Sequence, residues 1–219
     1  MTQNLIIGGN RGIGLQLCKQ LTSQGQSVIA TCRKSSSELE QTDATIIENI
    51  DVSVSADVET LKNQLADKQI DMLIHNSGIL SNESLEDMDF ERIEKQFIVN
   101  TLGPLRVIHA LQDNFTSGSK VGILSSRMGS MGDNGSGGRY GYRISKAGTN
   151  ALGVSLARDL EEKQVAVALL HPGLVATEMT GGAGIDPADA AAGILTRMDQ
   201  LTLETTGRFW HAEGYELPW

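Results

Sequence analysis

Apolar residues recur along this chain in two rhythms. Short runs rich in β-branched residues stand at 4–7, 27–31, 45–47, 72–75, 121–124 and 165–171, and runs of this length and composition read as strands. Between them lie stretches with helical spacing, at 12–24, 56–68, 88–115, 142–163 and 187–200. Regular alternation of strand and helix predicts an α/β fold: one doubly wound parallel sheet of about seven strands with helices on both faces. No repeat, heptad run or linker divides the chain, so a single domain over 1–219 is expected. In open sheets of this kind, ligands bind outside the carboxyl ends of the strands. Glycines and polar groups fall there: Gly8 after the first run, Asn76-Ser77-Gly78 after the fourth, Ser125-Ser126 after the fifth and Pro172-Gly173 after the sixth.

Composition narrows the class. With 40% apolar and 21% charged residues, the 219-residue chain is globular. Eighteen basic against 27 acidic side chains give a net charge of −9, which argues against a general nucleic-acid binder. No apolar run approaches the ~18–20 residues that cross a bilayer. The first residues carry no basic cluster, so a signal peptide is not expected. Two cysteines, Cys18 and Cys32, make no disulfide framework, and a cytoplasmic protein with reduced thiols is the expectation.

Between the first strand and the first helix runs Ile6-Ile7-Gly8-Gly9-Asn10-Arg11-Gly12-Ile13-Gly14. Bare backbone there admits a pyrophosphate, and a helix N-terminus offers unpaired N–H groups and partial positive charge. The spacing Gly8-x-x-x-Gly12-x-Gly14 differs from the general G-x-G-x-x-G fingerprint, and no Lys-Ser/Thr follows as in a Walker loop. An ordinary glycine-rich turn is the plainer alternative. After the second strand comes Thr31-Cys32-Arg33-Lys34, with no acid until Glu38. An acid at that place would hold a free ribose 2′-hydroxyl. Arg33, with Arg11, instead suits a 2′-phosphate, so NADP(H) is preferred over NAD(H).

Tyr142 and Lys146 are four residues apart in a helical stretch and share a face. An ammonium at ~4 Å would lower a phenol's proton affinity, by roughly three pKa units before desolvation opposes it. Tyr140 is the rival but lies on another face. Ser126, just past the fifth strand, can hydrogen-bond a carbonyl oxygen as charge develops there; alternation lets only one of Ser125 and Ser126 face the site. Asn100 lies within 88–115, four residues before Pro104. Proline has no N–H, so a kink and a water-binding Asn100 carbonyl are expected, as part of a proton relay. His75, His109, His171 and His211 show no metal-ligand spacing.

These residues resemble the short-chain dehydrogenase/reductase family over nearly the whole chain. The matching elements, in family order, are Gly8-x-x-x-Gly12-Ile13-Gly14, Asp51-Val52, Asn76-x-Gly78, Asn100, Ser126, Tyr142-x-x-x-Lys146 and Pro172-Gly173-x-Val175-x-Thr177. A closer likeness is to sniffer-type carbonyl reductases and C-factor proteins. It rests on Asn10-Arg11-Gly12, Thr31-Cys32-Arg33, Ser125-Ser126-x-x-Gly129-Ser130, Tyr140-x-Tyr142-Arg143-x-Ser145-Lys146, His171-Pro172-Gly173 and Leu217-Pro218-Trp219.

The resemblance implies a Rossmann-type NAD(P)-binding domain. It further implies that Tyr142 exchanges the substrate proton, Ser126 holds the carbonyl oxygen, and Lys146 binds the nicotinamide ribose and tunes Tyr142. Asn100 would hold a relay water through its carbonyl. Asp51 would meet the adenine, Asn76 the adenosine ribose, and Thr177 the carboxamide, with Val175 beside it. Helices 88–115 and 142–163 would pair two copies in a homodimer, or tetramer. Three features depart from the family pattern: His75-Asn76-Ser77-Gly78 stands for Asn-Asn-Ala-Gly, Ser126 and Tyr142 are 16 residues apart, a few more than is usual, and only a short segment, 178–186, occupies the place of a substrate lid. The expected activity is NADP(H)-dependent reduction of small carbonyl compounds, or oxidation of the alcohols. The alternatives are a dinucleotide-binding signalling protein with little turnover and an NAD-linked alcohol dehydrogenase.

Overall fold

The computed structural model describes residues 3–219. In chain order β1 (Gln3–Ile7) leads to α1 (Gly12–Ser23), β2 (Ser27–Thr31), α2 (Ser37–Glu40), β3 (Thr45–Ile47), α3 (Ser55–Gln64) and β4 (Ile70–His75). There follow α4 (Phe90–Phe97), α5 (Gly103–Leu111), β5 (Phe115–Leu124), α6 (Tyr140–Asp159), β6 (Ala166–His171), α7 (Pro187–Gln200) and β7 (Arg208–His211). The strands form one sheet in the order β3-β2-β1-β4-β5-β6-β7, parallel throughout.

Along β1, Leu5 and Ile7 point to one face and Ile6 to the other. The first face packs on α3, α5 and α6 through Val58, Leu61, Val107, Leu111 and Leu156. The second packs on α1 and α7 through Leu17, Leu21, Ile194 and Met198. Both faces are thus covered, as a parallel sheet requires. No helix among the described residues is long and apolar enough to cross a membrane.

All six apolar runs pair in this sheet. The single helix expected over 88–115 is overturned: it divides into α4, a π turn at Ile98–Leu102 and α5, and Phe115 already opens β5. Pro104 is the physical cause, because it offers no N–H to the carbonyl of Asn100 and its ring crowds that oxygen. An extra residue in the turn resolves the conflict. The helix expected over 142–163 begins earlier, at Tyr140, and ends at Asp159.

Candidate active site

The chain leaves β1 through Gly8 and enters α1 through Gly12, at φ of +86° and +53°. Both values lie in the left-handed region that glycine tolerates. A Cβ on Gly14 would strike the Gly8 carbonyl, so the first turn of α1 sits directly on the loop. Asn76 fastens it from β4: its Nδ2 donates to the Gly8 carbonyl at 2.8 Å. The backbone N–H groups of Asn76 and Ser77 both donate to Ile7. Asn10 turns to the end of β2, donating to the Lys34 carbonyl at 3.0 Å and accepting from the Ser36 hydroxyl at 2.7 Å. Arg11 provides no side-chain cap, and no acid occupies the first turn of α1. The first turn of α1 is therefore uncapped where Gly12 and Ile13 line a cavity, and a helix N-terminus of this kind suits an anion such as a pyrophosphate.

A cavity of about 740 Å³ runs from this turn along the carboxyl edge of the sheet, a size usual for ligand sites. Arg33, Asp51 and Val52 line one end, Tyr142 and Lys146 the other, and Asn76, Ser77, Gly78, Pro172 and Thr177 stand between. The Arg33 side chain is 70% exposed and lies 3.9 Å from Asp51. Burial tends to raise the Asp51 pKa, but hydrogen bonds from Ser53 and the nearby Arg33 and Lys95 outweigh it and hold the carboxyl below its ordinary value. Arg11 does not join Arg33, contrary to expectation. Its guanidinium pairs with Glu178 across the cavity mouth. Nothing in the sequence marked Glu178, because only the fold brings 178–186 over the glycine turn.

Ser126 and Ser125 divide as strand alternation requires. Ser125 turns inward to Asn150 at 2.5 Å, while the Ser126 hydroxyl accepts from the Met128 N–H at 3.2 Å and stands near enough to Tyr142 to pull the phenol's pKa down. Burial pushes the Tyr142 phenol above its ordinary value, against the Ser126 hydrogen bond and the Arg139 guanidinium. Lys146 is 4% exposed; its Nζ donates to the Leu124 carbonyl at 2.8 Å and lies 5.8 Å from the Tyr142 ring centroid. Burial brings it down to about 8. The expected lowering of the phenol by a close ammonium is thus corrected: Lys146 is not among the groups that draw the Tyr142 pKa down, and desolvation carries it up.

Asn100 lies in the π turn, and its carbonyl, freed by Pro104, accepts from the Thr149 hydroxyl at 2.9 Å, which leaves one lone pair for a further donor. Its side chain bonds Ile79 at both polar groups, each at 2.8 Å, and donates to Ser145 at 3.0 Å. His75, at the end of β4, is fully buried with Nε2 unpartnered, and burial with nearby Lys146 lowers it to about 3. Gly173 leaves β6 at φ +88° beside His211. Val175 is buried and bridges Ile185, while Ala176 and Thr177 line the cavity.

The short chain dehydrogenase family matches residues 3–187 of this chain. A 1-hydroxy-2-glutathionyl-2-methyl-3-butene dehydrogenase from Rhodococcus sp. (strain AD45) is 40% identical over 226 residues, covering all of both chains. Among solved structures, the carbonyl reductase Sniffer of D. melanogaster superposes with a TM-score of 0.91 at 27% identity, covering 100% of each chain. A carbonyl reductase from Pseudomonas aeruginosa PAO1 in complex with NADP does so with a TM-score of 0.88 at 30% identity, again over 100% of each.

Proposed function

The chain belongs to the short-chain dehydrogenase/reductase family and is an oxidoreductase, and on that premise we propose that it reduces aldehyde or ketone carbonyls using NADPH. One observation carries this reading: Tyr142 and Lys146 line the same cavity as the uncapped glycine turn, and Ser126 stands close enough to Tyr142 to draw its pKa down. When bound, the nicotinamide dinucleotide supplies the hydride, or accepts it in reverse. The glycine turn would hold its pyrophosphate, Arg33 its 2′-phosphate, Asp51 and Asn76 its adenosine, Lys146 its nicotinamide ribose, and Thr177 with Val175 its carboxamide end.

The chain's own residues do the rest. Ser126 holds the substrate oxygen by a hydrogen bond that strengthens as negative charge builds there. Tyr142 donates its proton to that oxygen. A phenol kept protonated by burial is ready as an acid, which favours reduction over oxidation at neutral pH. The Lys146 ammonium, 5.8 Å from the Tyr142 ring centroid, would serve by holding the nicotinamide ribose beside the phenol. Asn100 fixes the loop after β4 against α6.

The test is a panel of aldehydes and ketones with NADPH, followed at the nicotinamide absorbance. A glutathione-conjugated alcohol, the substrate type in the Rhodococcus relative's name, is added in the oxidative direction. Tyr142→Phe should lower turnover by ~10²–10⁴-fold with NADPH affinity unchanged. Full turnover in that variant refutes the acid's assignment. NADPH binding with no oxidation on any substrate would favour the signalling alternative.

A further inference from the structure

The carboxylate of Glu83 takes no part in the chemistry described so far. It lies in the loop between β4 and α4, is 3% exposed, and joins no salt bridge among the described residues. A buried charge without a cation is costly unless donors and dipoles replace water. Here they do. Oε1 accepts from Gln96 Nε2 at 3.1 Å and from the Ser81 hydroxyl. Oε2 accepts from the backbone N–H of Gly141 at 3.2 Å. Gly141 lies in the first turn of α6, whose 20 residues direct their positive end at the carboxylate.

That helix begins abruptly. Gly137, Gly138 and Arg139 have φ of +62°, +62° and +51°, and the Arg139 side chain does not cap. Glu83 supplies the missing cap from a distant segment, and its own carbonyl accepts from Arg139 N–H at 2.8 Å. Gly141 has no Cβ to spare: one would strike Gln96 Nε2. Gln96 is tied in turn, accepting from Ser81 N–H at 3.0 Å. Earlier in the same loop, Ile79 is bonded to Asn100, which donates to Ser145. Residues 79–83 therefore grip α6 on both sides of Tyr142, at Gly141 and at Ser145.

We propose that Glu83 is a positioning residue for Tyr142: its carboxylate, together with Gln96, fixes the first turn of α6 so that the phenol meets Ser126 and the substrate oxygen. The inference rests on Tyr142 being the proton donor. Misplacing a reacting group by ~1 Å costs on the order of 10²-fold in rate, so a cap that holds one turn still has a large effect.

The experiment compares Glu83→Ala, Glu83→Gln and Glu83→Asp in kcat, KM, NADPH affinity and melting temperature. It adds NMR of ¹³C-tyrosine-labelled protein with pH titration, the Tyr142 signal being assigned by its loss in Tyr142→Phe. Glu83→Ala should lower kcat by about 10- to 100-fold with KM and NADPH affinity within about threefold. It should also shift the Tyr142 signal and leave Tyr215 in place. Glu83→Gln keeps an acceptor for Gly141 and should stay within about threefold of the parent kcat. Glu83→Asp keeps the charge, falls short of Gly141, and should stay low. An unchanged kcat and Tyr142 signal in Glu83→Ala overturns the proposal, as do equal losses in Glu83→Gln and Glu83→Asp. If Glu83→Ala does not fold, the Gln and Asp pair decides. Absence of carbonyl turnover in the parent protein refutes the proposed reaction instead, and the Tyr142 signal across the variants still reads whether Glu83 sets the phenol's surroundings.

Discussion

Within α6 the Tyr142 phenol and the Lys146 ammonium share a face, and burial disfavours the charged form of each. The phenol keeps its proton more tightly, and the lysine gives its proton up near pH 8. Reduction should therefore lose kcat/KM as pH rises through about 8. Lys146→Arg, whose guanidinium stays charged, should lower the rate but lose that limb; a pH–rate profile checks both. His75 has the opposite relevance, to stability in acid. It titrates near 6.5 when unfolded and about 3 when folded, so between those values the unfolded chain binds more protons and stability rises with pH. Denaturant titrations should show stability falling by up to about 1.4 kcal/mol per pH unit from this group as the solution is acidified through that window. His75→Asn should remove that contribution. At the other end of the cavity, Arg33→Asp should weaken NADPH binding by about 10- to 100-fold and leave NADH binding unchanged or tighter, since an acid there can hold the free 2′-hydroxyl. An unaltered NADPH affinity would end the case for Arg33. The Tyr142–Lys146 spacing was legible because four residues make a helical turn. Where the ammonium points was not, since Leu124 meets it only through the fold.

At the level of elements, the buried strands were legible because parallel strands are written as short β-branched runs. β7 was not: Arg208, Phe209, Trp210 and His211 make no such run, and the strand is four residues long. The π turn was hidden for another reason. Apolar spacing continues across Ile98–Leu102, so periodicity alone reads one helix, and only Pro104 hinted at a break. The turn has its own consequence. Thr149 is fully buried, and its single hydroxyl proton is shared between the Asn100 carbonyl and, at 2.8 Å, that of Ser145. Thr149→Val should leave the Asn100 oxygen buried and unpaired, costing about 1–3 kcal/mol. Thermal unfolding would read this directly, and an unchanged melting temperature would mean that the carbonyl finds another partner. Glu83 was illegible as more than a surface acid, because a loop carboxylate shows no sign in sequence of the helix end it will meet.

For the molecule as a whole, the parallel order puts every candidate group on one edge of the sheet and leaves the helical faces free for other contacts. One of those faces is apolar. Phe97, Ile98 and Leu105 on α4, the π turn and α5 are exposed, as are Ile144 and Val154 on α6, with Ile144 51% accessible. These helices are neighbours, for Phe97 lies against Gly148 of α6. We propose that this face packs on a second copy of the chain about a two-fold axis, which returns each patch to itself. The resemblance drew attention to the helices. Which of their residues stay uncovered appears only once α6 has chosen the side it buries, with Leu156 inward and Ile144 outward. Light scattering should give twice or four times the 23.5 kDa of one chain. Ile144→Glu places a charge in the middle of the patch and should shift the mass toward that of a single chain. NADPH affinity should hold in this variant, since Arg33 and the glycine turn lie at the opposite end of the cavity from α6. A parent protein that elutes at the mass of one chain, with Ile144→Glu indistinguishable from it, would leave the apolar face without the partner proposed for it.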